Sequence, residues 1–340
     1  MTQISLLDRL LEKGDNVLSE SPYFGDKDII KTDLPILNVA FSGRIDGGFT
    51  TGLTIFAGDS KTFKTMLGLY CMKAYLKKYK DAVVLFYDSE FGSTPDYVSA
   101  IGVDPNRIIH IPVEHVEQLK FDLVKRLAKI NQGDRVFIFV DSLGNLASKK
   151  EVEDAENEKS VADMSRAKGI RSLLRIITPH LTMKDLPCVI INHVYQTQEM
   201  FSKTVIPGGT AVTYASSQIF VISKSQEKDS SGDITGWNFN ITINKSRFIR
   251  EKSKLSFYVD YNTGIQKYSG LFELAVEGGF IKEAKKGWYT ADGEKNLRRA
   301  EIDNSKEFWK SMFENTDFPS YVQKSLALGQ VSMQHEVEED

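Results

Sequence analysis

The chain has 340 residues, of which 26% are charged and 41% hydrophobic, with a formal net charge of −3. This is a globular composition, long enough for about two domains, and it excludes a globally basic coat, so any polyanion site has to be local. Two cysteines, Cys71 and Cys188, lie far apart in separate apolar runs, which argues against a disulfide framework or thiolate metal cluster and fits a reducing cytosol. No apolar run approaches the ~18 residues of a membrane span. We read no signal peptide, no repeat and no low-complexity tract.

Ile4, Leu7, Leu10 and Leu11 form a short apolar stripe that ends at Gly14, and the spacing predicts a helix. A helix this short is marginal in water unless a surface covers it. It either packs on its own domain or docks as an arm on a neighbouring subunit. Residues 21–35 read as a linker. Residues 36–52 form a short helix or strand and a glycine turn that lead into the core.

Leu53-Thr54-Ile55-Phe56-Ala57 is apolar and partly β-branched, as a buried parallel strand should be. The loop Gly58-Asp59-Ser60-Lys61-Thr62-Phe63-Lys64-Thr65 follows, and then a helix from Met66 to Tyr79. Strand, tight loop and helix together form the context of a phosphate-binding loop. Its inward N–H groups and the helix N-terminus hold a triphosphate. Lys64 would reach the β- and γ-phosphates, and the Thr65 hydroxyl would bind Mg²⁺. Phe63 stands where the usual pattern has Gly. Its Cβ restricts φ, so the expectation is a loop that reaches its geometry without left-handed freedom there.

Ala82–Tyr87 predicts a second buried strand, ending in Asp88-Ser89-Glu90. Carboxylates just past a parallel strand sit at the ligand edge of an α/β sheet. Glu90 is therefore a candidate general base for an attacking water, against the plainer reading of a solvated loop acid. Pro95 opens a helix, and Tyr97 within it either stacks on a purine or simply packs. Arg107–Ile111 is a third strand and Val116–Ile130 an amphipathic helix. Val136–Val140 then runs into Asp141. An apolar strand ending in Asp, downstream of a phosphate loop, is the Walker B pattern and places Asp141 in the Mg²⁺ shell.

Residues 148–159 are highly charged and bury little. Met164–Ile177 is helical, with Lys168, Arg171 and Arg175 on one face, either a solvated stripe or a polyanion contact. Pro187–Ile191 is the next buried strand and ends in Asn192-His193. There His193 either senses the γ-phosphate or is a satisfied core histidine. Residues 194–207 make a long connection, and long connections are usually functional or disordered. Met200 and Phe201 stand at its middle, and Gly208-Gly209 closes it, letting a backbone approach a ligand. Gln218–Ser223 and Trp237–Asn244 pair antiparallel, leading to Lys245-Ser246-Arg247. From Gly270 the pattern turns α-rich, and Glu336–Asp340 is an acidic tail.

These elements predict an α/β fold, a mostly parallel twisted sheet flanked by helices. The expected division is an N-terminal helix and linker (1–35), an ATPase core (36–268), a small α-rich C-terminal domain (269–330) and the tail (331–340). The order of parts resembles the RecA recombinase family over about residues 1–330, and most nearly its UvsX branch from tailed phages. The strings that carry the resemblance are Leu85-Phe86-Tyr87-Asp88-Ser89-Glu90-Phe91-Gly92, Asp141 to Lys150, and Gln198-Glu199-Met200-Phe201-Ser202-Lys203-Thr204. Phe63 in place of Gly is also similar to that branch, whereas bacterial RecA has Gln where His193 stands.

The resemblance implies a DNA-dependent ATPase using ATP and Mg²⁺, which forms helical filaments on single-stranded DNA and pairs it with homologous duplex. Glu90 would activate water, Tyr97 would stack on adenine, and His193 would sense the γ-phosphate. Lys245 and Arg247 would reach the ATP of the neighbouring subunit. Lys149, Lys150, Arg171, Met200, Phe201, Lys203, Gly208 and Gly209 would face the DNA channel. It also implies mediator and single-strand-binding partners and a location in the cytoplasm of a bacterial host. A ring-forming hexameric helicase on the same core would share Lys64, Glu90 and Asp141 and is the competing reading. A third, an accessory paralogue without strand exchange, is disfavoured by those same three residues being intact.

Overall fold

The structure is a computed structural model that describes every residue except 1–5, 24–26, 158–164, 198–203, 229–230, 292 and 329–340. Ile4, Met200, Phe201, Lys203 and the acidic tail therefore lie outside the described residues.

The first five strands of the sheet, all parallel, come from the runs expected of them. They are β1 (Gly52–Gly58), β2 (Val83–Asp88), β3 (Ile108–Pro112), β4 (Val136–Asp141) and β5 (Pro187–Asn192). Two short strands, β6 (Tyr195–Gln196) and β7 (Thr204–Val205), pair with each other at the base of the long connection. β8 (Gln218–Lys228) and β9 (Ile234–Lys245) form an antiparallel hairpin longer than the sequence pattern indicated. β10 (Lys254–Asp260) and β11 (Gly264–Ile265) complete a nine-stranded sheet in the order β11-β10-β9-β8-β1-β5-β4-β2-β3. β1, buried from Leu53 to Gly58, lies between β5 and β8 and is parallel to both. Its C-terminal end thus opens where the strand order reverses, the usual place for a ligand crevice in such sheets.

Helices cover both faces. α1 (Leu6–Leu10) is followed by α2 (Pro35–Ser42), which is buried from Pro35 to Phe41. The lead-in is thus a helix, not a strand. α3 (Lys64–Lys78), α4 (Pro95–Ala100), α5 (Val116–Leu127), α6 (Lys149–Glu156), α7 (Ser165–Met183) and α8 (Gly209–Ala215) follow. α7 runs six residues past its expected end at Ile177 and carries Pro179 inside it. Buried Leu181 on the same apolar face gives the last turn a packing partner, which outweighs the hydrogen bond that Pro removes.

The C-terminal part is α9 (Leu271–Glu277), the hairpin β12 (Lys282–Lys285) and β13 (Trp288–Thr290), and then α10 (Arg299–Asn304), α11 (Lys306–Asn315) and α12 (Phe318–Leu326). Trp309, Met312 and Phe318 belong to the same continuous apolar cluster as Phe41, Phe56 and Phe220 under the sheet. The C-terminal elements therefore extend one core rather than enclosing a separate one. A second cluster fills the opposite face, built from Leu53, Ile55, Leu119, Leu123, Leu173 and Ile190 among others.

Candidate nucleotide site and its neighbouring groove

The loop after β1 closes on itself. Gly58 is required by close approach, because a Cβ there would lie 2.4 Å from the Ile222 carbonyl oxygen. Thr62 Oγ1 donates to the Asp59 carbonyl at 2.8 Å, and Lys64 Nζ donates to that carbonyl at 2.6 Å. Lys64 is buried, which lowers its pKa, with Glu90 and Asp141 pulling the other way.

The expectation for Phe63 is corrected. It adopts the left-handed conformation at φ 67°, as a glycine would, and caps α3 in that state. That conformation costs an L-residue about 1–2 kcal/mol. The Phe63 ring lies 5.2 Å from Phe239 and 5.7 Å from Phe257, which stack on each other. Full burial of such a ring contributes about 1.5–3 kcal/mol, and the partly buried Phe63 ring gains part of that against β9 and β10, which works against the strain. Lys61 is also left-handed, at φ 59°.

β4 delivers Asp141 beside Thr65, whose hydroxyl donates to Asp141 Oδ2 at 2.9 Å. Asp141 Oδ1 is buried without a hydrogen-bond partner, and burial pushes its carboxyl up to about 7. A buried carboxylate oxygen with no donor is a cost that a cation removes. Thr65 and Asp141 thus fit a Mg²⁺ ion, which takes one or two protein oxygens and keeps water and phosphate for the rest.

β2 delivers Glu90. Asp88 Oδ1 accepts the N–H groups of Glu90 at 2.9 Å and Phe91 at 2.8 Å, which fixes the turn after the strand. His110 Nε2 lies 3.1 Å from the other Asp88 oxygen. Glu90 Oε1 lies 3.0 Å from His193 Nε2 and accepts from Asn145 Nδ2 at 3.0 Å. The His193 contact is the main reason the Glu90 carboxyl sits below the usual carboxylate range. Glu90, Tyr97, His193 and the loop from Ser60 to Thr65 line one cavity of about 330 Å³. Tyr97 is 41% exposed at its side.

Asn192, fully buried at the end of β5, accepts the His193 N–H at 3.0 Å and donates to the Pro207 carbonyl at 3.1 Å. It therefore ties His193 to the end of the long connection. Gly208 (φ 97°) and Gly209 (φ 59°) open α8 just beyond. A Cβ on Gly208 would lie 2.9 Å from Ile170 Cγ2 on α7, so at this position helix packing and φ explain the glycine. Arg171 and Arg175 on α7 flank a groove of about 470 Å³ whose other wall is Thr210, Ala211 and the 81% exposed Tyr214 on α8. Lys149 and Lys150 are exposed at the start of α6, where Lys149 pairs with Glu153 at 3.4 Å. Lys245 Nζ donates to the carbonyls of Thr213 and Ser216, holding the C-terminus of α8 in its own chain, while Arg247 is exposed.

The structure thus brings Lys64, Thr65, Glu90, Tyr97, Asp141 and His193 together and places Arg171 on a second groove, whose lining does not include Gly208 or Gly209. Sequence reasoning missed Asp88, Asn145 and Asn192 as supports of this site, and also Arg166, which donates to the carbonyls of Gly144 and Leu146 on either side of Asn145. Asp88 and Asn192 carried a signal, a polar residue at a strand's C-terminal end, one or two places before the chosen one.

The family model described as RecA N-terminal domain matches residues 28–266. The model described as Bacteriophage T4, Recombination and repair protein, C-terminal domain matches residues 268–322. The chain is 46% identical over 331 residues to the recombination and repair protein of Enterobacteria phage T4, covering 94% of this chain and 84% of that one. It is 26% identical over 317 residues to Protein RecA of Malacoplasma penetrans, covering 89% and 92%. Against Protein RecA of Streptomyces coelicolor the identity is 26% over 302 residues, covering 88% and 76%.

Proposed function

Because the chain belongs to the RecA family of recombinases, we propose that it is an ATP-dependent DNA recombinase of phage recombination, repair and recombination-dependent replication. It forms a helical filament on single-stranded DNA and pairs that strand with homologous duplex. The observation that carries the reading is one cleft lined by Lys64, Thr65 and the Glu90 carboxylate clamped by His193, with Asp141 accepting from the Thr65 hydroxyl. The competing reading, a ring-forming helicase, has no support among these relatives.

Phosphoryl transfer needs positioning and charge stabilisation more than covalent chemistry. Loop N–H groups and the start of α3 hold the phosphates. Lys64 leaves the Asp59 carbonyl to neutralise the β- and γ-phosphate oxygens. Thr65 and Asp141 would hold Mg²⁺, which would supply positive charge against the phosphates. Glu90, kept ionised by its contact with His193, orients and deprotonates the attacking water. Tyr97 stacks on the adenine. Lys245 and Arg247 complete the charge from the neighbouring protomer, which ties hydrolysis to assembly.

We assign Lys149, Lys150, Arg171, Met200, Phe201, Lys203, Gly208 and Gly209 to the DNA channel. Grip is mainly on phosphates, so it is sequence-independent and weakens with salt. The working division is an arm (1–35), a core (36–268), a C-terminal domain (269–330) and a tail (331–340). Mediator and single-strand-binding proteins are its partners in the cytoplasm of the bacterial host. Among the described residues no helix is long and apolar enough to cross a membrane.

Electron microscopy with ATP and single-stranded DNA tests the assembly, with helical filaments expected and closed rings refuting it. Joint molecules from homologous substrates test the pairing, and their absence removes it. Replacing Lys245 and Arg247 by Ala should lower DNA-stimulated turnover; an equal loss in DNA-free, monomeric protein would cancel the role in trans.

A further inference from the structure

Past Asp141 the chain makes a single tight turn, Leu143–Asn145, before α6. Leu143 and Leu146 are buried and anchor it, while Asn145 between them is exposed and reaches the cleft. Asn145 Nδ2 donates to Glu90 Oε1, the same oxygen that faces His193. Two contacts on one carboxylate oxygen, from different elements, fix the orientation of the carboxyl group. The turn is itself clamped. Arg166, second residue of α7, donates through Nε to the Leu146 carbonyl at 2.7 Å and through a terminal nitrogen to the Gly144 carbonyl. These carbonyls flank Asn145 on both sides. A Cβ on Gly144 would lie 2.7 Å from His193 Cδ2, so the turn presses against the other residue that holds Glu90.

We propose that Asn145 is a positioning residue for Glu90, and that Arg166 holds it in register with α6 and α7, the two helices that carry basic side chains assigned above to the DNA channel. The turn is covalently continuous with α6, which begins two residues beyond Ala147 and bears Lys149 and Lys150. The clamp comes from α7, which also bears Lys168, Arg171 and Arg175. A strand gripped by α6 and α7 stiffens both ends of the clamp and so the seat of Asn145. The Asn145–Glu90 bond, already made at 3.0 Å, is then held more rigidly. The inference rests on the reading of Glu90 as the base, and it deepens that reading by naming how DNA occupancy reaches it.

The test is steady-state ATP turnover at saturating single-stranded DNA, with Glu90→Gln run alongside. Asn145→Ala should lower kcat about 10-fold or more, because small misplacements of a reacting group are costly. KM for ATP should stay within about twofold, since ground-state binding is not touched. The isosteric Asn145→Asp keeps the shape and removes the donor, so it should be as slow as Asn145→Ala. In a Glu90→Gln background Asn145→Ala should add no further loss. Arg166→Ala should lower the ratio of DNA-stimulated to DNA-free turnover about fivefold, with partial recovery in Arg166→Lys.

Wild-type kcat in Asn145→Asp, with Glu90→Gln inactive, overturns the proposal and leaves the base assignment standing. Full turnover in Glu90→Gln overturns the base assignment itself. Equal losses with and without DNA in Arg166→Ala remove the link to the DNA channel. Should Asn145→Ala fail to fold, Asn145→Asp and the Arg166 pair still decide the question.

Discussion

In the phosphate loop, Thr62, Lys64 and Thr65 all bond within their own chain, to the Asp59 carbonyl and to Asp141. On α1, by contrast, Leu6, Leu7 and Leu10 stand 62%, 54% and 68% exposed. Five helical residues with their leucines in water have no stability of their own. The contrast teaches that the loop is tied down by its own chain, whereas the described part of the arm is not covered by it. That is the arrangement expected of a subunit whose arm finishes on another copy.

The sharpest way to break the comparison is Lys64→Ala. Loss of the buried ammonium should cut ATP turnover about 100-fold or more, and near-normal activity would cancel the loop assignment. Glu90→Gln should lower hydrolysis about 100-fold while nucleotide and DNA binding persist; binding can be followed with a non-hydrolysable analogue. Deleting residues 1–20 acts on the other region. Filament growth should stop in electron micrographs, DNA-stimulated turnover should fall about 10-fold, and nucleotide binding by the monomer should remain. Normal filaments would return the arm to packing on its own domain.

The smallest effect concerns Phe63, where the loop meets the hairpin. Phe63→Ala and Phe63→Gly both lose the ring contacts with Phe239 and Phe257. Only the glycine relieves the left-handed strain, so it should be the more stable by about 1 kcal/mol. Chemical denaturation decides it, and an alanine variant at least as stable as the glycine variant would sink the strain account.

Much of this was readable along the chain because it is local. A buried strand, a phosphate loop and a helix follow one another without a break from Leu53 to Lys78. Apolar strands that end in Asp141 and Asn192 announce the ligand edge by position alone. Period and punctuation suffice for such features, since hydrogen-bond geometry and burial act within a few residues. Other features depend on residues far apart. Phe63 tolerates its φ only because Phe239 and Phe257 come from another part of the sheet. Glu90 is held by Asn145 and His193, 55 and 103 positions away. Pro179 stays inside a helix because Leu181 finds a core. The sequence by itself determined which residues are candidates to meet phosphate, cation and water. Tertiary packing alone decided how they are aimed, because the donors and rings that constrain them arrive from distant strands and cost nothing to local propensity.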